Sequence, residues 1–284
     1  MSLAVAVPCA VVSAVAYGTA TAVQHRAAHR GTGRADARGV LALARDPRWV
    51  AAVGGDALGL ALQVVALATG PVLLVQPLLV LAVPVALPVG RWLGGPSPTG
   101  RDYAACAGIL ASLAVFFALV GDPGRAAQLP AGAAAWSVAS GVMVGALLMT
   151  AVRPARPPVR AAVYGAVAGA WFGLVGVLLD AVATTWQRSG PAALAHPDGW
   201  VPLACLLVLG AAALVLTQVS FQVGSLAASF PANEATAPVV AVVLGAALLH
   251  ERLPVSAVHL AAYVLCVGVV VLSTAQLARG LTQP

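Results

Sequence analysis

The chain alternates long apolar runs with short polar segments. Nine such runs cover about 3–24, 49–69, 71–90, 103–121, 133–152, 161–186, 201–222, 225–249 and 257–278. An α-helix rises 1.5 Å per residue, so about 20 apolar residues cross a hydrocarbon core roughly 30 Å thick. Each run therefore predicts one transmembrane helix. Runs two and three are separated only by Thr69-Gly70, and runs seven and eight only by a turn near Val223-Gly224. Trp49, Trp92, Trp136, Trp186 and Trp200 stand at run ends, as in an interfacial aromatic belt. The predicted class is an all-α polytopic membrane protein.

Composition strengthens this reading. Of 284 residues, 61% are apolar and 8% charged, with a mean hydropathy of +0.94. So few charges cannot cover a water-facing surface of this size. A soluble enzyme, a nucleic-acid binder and a secreted disulfide scaffold are excluded as classes. The net charge of +6 comes from 15 basic residues, all Arg, lying mainly in short loops. The absence of Lys beside so much Ala, Val and Leu points to a GC-rich genome rather than to chemistry.

Arg placement predicts orientation. Twelve of the 15 lie after spans one, three, five and nine, and only Arg125, Arg188 and Arg252 lie on the other side. The positive-inside rule makes the Arg-rich side cytoplasmic. The N-terminus is then outside, the C-terminus inside, and the chain a multi-pass protein of the plasma (cytoplasmic) membrane. The first 25 residues carry no Arg, Lys, Asp or Glu and lack the basic start of a cleavable signal peptide. The longest polar stretch is about 25–48, too short for a soluble ATPase or sensor domain. No phosphate-binding loop and no H-E-x-x-H motif is present. Cys9, Cys106, Cys205 and Cys266 are isolated in apolar runs without metal-ligand spacing. No enzyme activity, cofactor or metal site is assigned. The expected partners are the lipid bilayer, a small-molecule or cation substrate and a second copy of the chain, with no nucleic acid.

Residues 70–90 and 224–244 show an internal repeat. At an offset of 154, Gly70 meets Gly224, Pro77 meets Pro231, and Pro84-Val85 meets Pro238-Val239. Leu62-Gln63-Val64 resembles Thr217-Gln218-Val219, and Tyr17-Gly18 meets Phe172-Gly173 at 155. Cys106-x-Gly108 meets Cys266-x-Gly268 at 160. Spans one to four (1–121) thus pair with spans six to nine (161–284), and 122–160 is a linker holding span five. An odd number of crossings between equivalent spans makes two inverted four-helix repeats, the plan of many secondary transporters.

The Gly54-Gly55-Asp56-x-x-Gly59 run, Gln63-x-x-Ala66-Leu67 leading to Gly70 and Gln76-Pro77, then Gln218 to Gly224 and Pro238, together resemble the drug/metabolite transporter superfamily. The nine-span layout is most like its NIPA-like branch, and His250-Glu251-Arg252-Leu253 resembles the acidic turn of the superfamily. The resemblance implies transport of small metabolites, or of Mg²⁺ in the NIPA-like case. Those members carry Glu where this chain has Asp56, and Lys where it has Asp180.

Three acids lie inside spans: Asp56, Asp180 and Glu234. An ionised carboxylate at the bilayer centre costs at least about 2.5 kcal/mol, so each needs a proton, water or a cation. Glu234 falls near the midplane of span eight. Pro238, four residues on, removes the hydrogen bond its carbonyl would accept, and Pro84 does the same to Val80. Ser225, Ser229, Asn233 and Thr236 add a polar stripe. Asp56 lies among glycines, with Gln63 two turns on, and Asp180 near the outer end of span six. Gln76, Gln218 and Gln222 are neutral hydrogen-bonding groups that serve equally as helix glue or substrate contacts. The substrate or coupling-ion pathway therefore takes Glu234, Asp56, Gln63, Asp180, Gln76, Gln218, Gln222, Asn233 and Ser229, with Pro77, Pro84, Pro231 and Pro238 as helix-breaking positions. Asp56, Gln63 and Glu234 are expected around one interior cavity. His25 and His29 belong to a solvated basic loop, and His250-Glu251-Arg252 to a turn cap or gate ion pair. Three functions are carried forward: a proton- or cation-coupled secondary transporter, a Mg²⁺ pathway, and a structural or regulatory membrane protein.

Overall fold

The structure, a computed structural model, describes residues 2–30, 47–94, 97, 99–121, 127–223 and 226–281, with the side chains at 24–30, 218, 221, 222, 226, 227, 230 and 278–281 left aside. Every regular element among them is helical. In chain order these are α1 (Leu3–Arg30), α2 (Pro47–Thr69), α3 (Val72–Leu79), α4 (Ala82–Trp92), α5 (Gly100–Val120) and α6 (Ala131–Ala151). After them come α7 (Pro157–Ser189), a 3-10 turn (Gly190–Ala195), α8 (Pro197–Val223), α9 (Leu226–Leu248) and α10 (Ala257–Leu281). Among the described residues, nine segments are long and apolar enough to cross a membrane, α3 and α4 counting as one. The chain is a polytopic α-helical membrane protein.

Local sequence sets several helix ends. Thr99 and Asp102 form a reciprocal capping box at the start of α5, with Thr99 N donating to Asp102 Oδ2 at 2.7 Å. Pro157 begins α7, where the missing N–H is one the helix leaves unpaired anyway. Gly190, at φ +54°, ends it.

The third span departs from a single kinked helix. It breaks at Val80-Leu81 into two short helices. Pro84 becomes the third residue of α4, in the first turn, where no intrahelical partner is required. The Val80 carbonyl, expected to be left open by Pro84, accepts the Val83 N–H at 3.1 Å. The break shortens the hydrogen-bonded loop and satisfies that oxygen.

α7 is the axis of the bundle. α9, α8, α6, α2 and α3 all pack on it. Its buried face supplies Val167, Ala168, Trp171, Leu174, Val177 and Leu178 to the largest core cluster. α6 is the opposite case: Ala134 and Gly145 are buried, whereas Trp136, Met143 and Leu147 are exposed. Such a face is unsuited to water and suited to lipid.

Hydrogen bonds knit one end of the bundle. Ser2 N donates to Thr69 O at 3.0 Å, Gln187 Nε2 to Ala68 O at 2.9 Å, Ala127 N to Leu249 O at 2.7 Å and Ala131 N to Asp198 Oδ1 at 2.7 Å. These are the Arg-poor connections of the sequence.

Candidate functional site

The closest helix contacts are built from small residues. Gly165, Gly169 and Gly173 stand one turn apart on α7, and a Cβ at each would fall on the carbonyl oxygens of Ser229, Asn233 and Ala237 of α9. Lacking side chains, the two backbones touch, which favours weak Cα–H···O contacts and dispersion. The same contact exists 155 residues earlier. A Cβ at Gly18 would fall on the Ala82 carbonyl and on Val85, as one at Gly173 would on Ala237 and Val240. Ala6, Ala10 and Ala14, all buried, continue that stripe along α1 and stand 155 residues before Ala161, Gly165 and Gly169. The sequence pattern shows this stripe only at Gly18 and Gly173.

Asp56, Gly59 and Gln63 occupy one side of α2. The Tyr17 ring of α1 lies over Gly59, and its hydroxyl donates to Gln63 Oε1 at 3.0 Å. Ser13, fully buried, donates to the Gly59 carbonyl at 2.7 Å. Asp56 is half-buried. Tyr17, singled out in the sequence only as a repeat marker, is thus a polar member of this site.

Glu234 is half-buried on α9, and its carboxylate has no hydrogen-bond partner among the described residues. Its neighbour Asn233 is buried and donates from Nδ2 to Thr217 Oγ1 of α8 at 3.0 Å; Thr217 in turn donates to Ala213 O. Ser229 is fully buried at the α7 contact. Thr236 donates to Ala232 O of its own helix. Along the polar stripe, Asn233 thus bonds α8, Thr236 bonds its own helix, and Ser229 lies in the contact with α7. Ser225 lies outside the described residues. α9 runs through Pro231 and Pro238 without a break. The single cavity expected around Asp56, Gln63 and Glu234 is not drawn together by described contacts: Gln63 bonds Tyr17, and Glu234 sits on a different helix pair.

A second polar group lies near the knitted end. Asp180 of α7 is 2% exposed, and its Oδ2 has no partner. Gln76 of α3 is buried, with an unpartnered Nε2, and its amide rests on the α7 backbone at Gly176, one turn before Asp180. Glu251, 3% exposed, accepts from Val72 N at 2.8 Å and Leu73 N at 2.9 Å. It caps the N-terminus of α3 from the turn after α9. His250, at φ +56°, bends the chain to deliver it. Burial pushes the Glu251 carboxyl up from its ordinary range, and the two N–H groups pull it part of the way back. The turn is a cap, as the sequence allowed, but one on a helix of the other half.

Pro77 lies inside α3, buried beside Gln76. The side chains of Gln218 and Gln222, and those of His25 and His29, lie outside the described residues. Pro84 lines a lateral cavity of about 210 Å³ between α4 and α5, with Leu87, Pro88, Arg91, Tyr103 and Cys106. Among the described residues no group of three or more His, Cys, Asp or Glu is arranged to hold a metal ion. Compared with family models, curated proteins and solved structures, the chain finds no match.

Proposed function

We propose that the chain is a secondary transporter that moves a small solute across the cell membrane by alternating access of two inverted halves, coupled to a proton or cation. One observation carries the reading. The small-residue contact of α1 with α4 recurs 155 residues later between α7 and α9, down to the facing carbonyl and valine. Two halves built on one contact, separated by an odd number of crossings, have two equivalent ways to open. The in-span acids support the same reading, because a carboxyl that changes charge with occupancy can couple two fluxes. The short motifs that resemble the drug/metabolite transporters point the same way. Among the described residues no group of three or more His, Cys, Asp or Glu favours the Mg²⁺ reading.

Purified protein in liposomes should carry a pH-dependent flux of a small solute. Glu234→Gln keeps size and hydrogen bonding but removes titration. It should abolish the pH dependence while membrane level stays near normal, because a neutral amide is far easier to bury than a carboxylate. Asp56→Asn tests the other half. Flux that keeps its pH dependence in both variants would remove these acids from coupling. Tags at the two ends should report opposite sides of the membrane; both on one side would end the inverted-repeat reading.

A further inference from the structure

α4 and α5 follow one another in the chain but lean on different partners. α4 packs on α1, with Ala82 and Val85 against Gly18, and α5 packs on α10, with Gly108 against Val269 and Ser273. Between α4 and α5 lies the lateral cavity of about 210 Å³. Pro84, Leu87, Pro88 and Arg91 line it at i, i+3, i+4 and i+7, a single stripe of α4, and Tyr103 and Cys106 line it at i and i+3 from α5. We propose that this cavity binds an anionic phospholipid, with one acyl chain between the two stripes and the phosphate on Arg91.

The lining is graded from polar to apolar. Arg91 stands in the last turn of α4 and Tyr103 in the first turn of α5, so the guanidinium and the hydroxyl mark the end near the connection of the two helices. Pro84 lies seven residues deeper, ~10 Å at 1.5 Å per residue, within the roughly 15 Å of one leaflet. Leu87, Pro88 and Cys106 between them carry no charge, and the compact proline rings leave space that longer side chains would fill. Trp92 and Tyr103, both exposed, place this end at head-group depth, where amphipathic aromatics settle. The volume is below the roughly 300 Å³ at which pockets for whole drug-sized molecules begin. It suits a stretch of acyl chain whose remainder runs on into the bilayer.

Charge selects the head group. Between residues 91 and 103 the charged side chains are Arg91, Arg101 and Asp102. Both arginines are exposed. Asp102 is buried and turned into the α5 cap, where its Oδ2 accepts from Thr99 N at 2.7 Å and from Thr99 Oγ1 at 2.8 Å. On the same Arg-rich side, α1 ends with Arg26 and Arg30 and α10 with Arg279, and neither has an acid in its last turns. An arginine fork holds a phosphate through paired N–H donors. A zwitterionic head group would bring its ammonium beside these arginines with no open carboxylate on α4 or α5 to receive it. An anionic one adds only favourable charge. Bound there, the lipid fills the gap between two helices that pack elsewhere and braces the broken third span. The site rests on the membrane-spanning fold and not on the transport reading.

Phosphatidylglycerol with a photoactivatable diazirine on one acyl chain, mixed at a low fraction into liposomes of the purified protein, tests the site. Phosphatidylcholine with the same chains is the comparison. Adducts located by peptide mass spectrometry should concentrate on 84–91 and 103–106. The phosphatidylcholine probe should label these segments about fivefold less, and so should phosphatidylglycerol on Arg91→Gln, the effect of one charge near an anionic lipid. Arg91 is exposed, so that variant should fold. Cys106→Phe fills the apolar part and should lower the labelling with Arg91 intact. Labelling spread evenly over lipid-facing helices such as α6, equal labelling by the two probes, or labelling unchanged in Arg91→Gln would overturn the proposal. So would loss of the label on adding inorganic phosphate at constant ionic strength, which would make Arg91 a site for a free anion.

Discussion

The seam of α1 against α3 and α4 and the seam between α7 and α9 share one packing plan with different side chains. In the first, the stripe is Ala6, Ala10, Ala14 and Gly18; in the second it is Ala161, Gly165, Gly169 and Gly173. The first faces a span broken at Val80-Leu81, and the second a continuous helix carrying Asn233 and Glu234. A methyl group on each turn holds helices slightly apart, whereas bare Cα atoms let backbone meet backbone. The comparison teaches that the halves share a packing plan but differ in stiffness. The second half is the more tightly joined, and the first has a joint in the middle of its partner span.

The sharpest way to break the comparison is Gly169→Leu. The new side chain would start on the Asn233 carbonyl, and the loss should exceed about 3 kcal/mol, the upper end of overpacking costs. Loss of folded protein in detergent, read as a collapse of thermal stability, checks it. Next, Gly18→Ala and Gly173→Ala should each cost about 1–3 kcal/mol and by similar amounts, since both place a methyl on an equivalent carbonyl. Tolerance at Gly18 alone would show that the two seams are not equivalent.

Glu251→Gln should cost about 1–2 kcal/mol through the weakened cap of α3. Its pH profile sharpens the test. Burial holds the folded carboxyl above its unfolded value, so Glu251 stabilises fully below the ordinary glutamate range and loses that contribution as pH rises through its raised value. Melting temperature of the unaltered chain should fall across that window, and Glu251→Gln should flatten that part of the curve. The smallest effect belongs to Tyr17→Phe, which writes the residue of the second half, Phe172, into the first. Losing the bond to Gln63 should cost about 1 kcal/mol or less, measurable as a small drop in melting temperature.

The spans are legible in the sequence because a 20-residue apolar run is a one-dimensional signal. The repeat shows through Gly and Pro, which sequence comparison weighs heavily. The small-residue stripe is harder to see, because Ala6, Ala10 and Ala14 are lost among many other alanines. Pro84 announces a disturbance but does not say whether the helix kinks or breaks; that depends on whether Val80 finds the Val83 N–H. Asp180 and Gln76 are visible as polar residues in apolar runs. The seating of the Gln76 amide on α7 one turn from Asp180 is not, because it depends on how α3 and α7 meet. Tyr17 is ambiguous from sequence, since an aromatic in an Ala-rich helix reads as core until its hydroxyl is seen to reach Gln63.

The cap on α3 also bears on biosynthesis. Glu251 is made 179 residues after Val72, and ribosomes add roughly 5–20 residues per second. For roughly 10–35 s the first turn of α3 therefore sits in or near the membrane with two N–H groups still waiting for their acceptor. The first half cannot finish folding by itself during that interval. Its last hydrogen bonds close only after the turn that follows α9 has been synthesised, which makes the arrival of that turn the event that sets the first half.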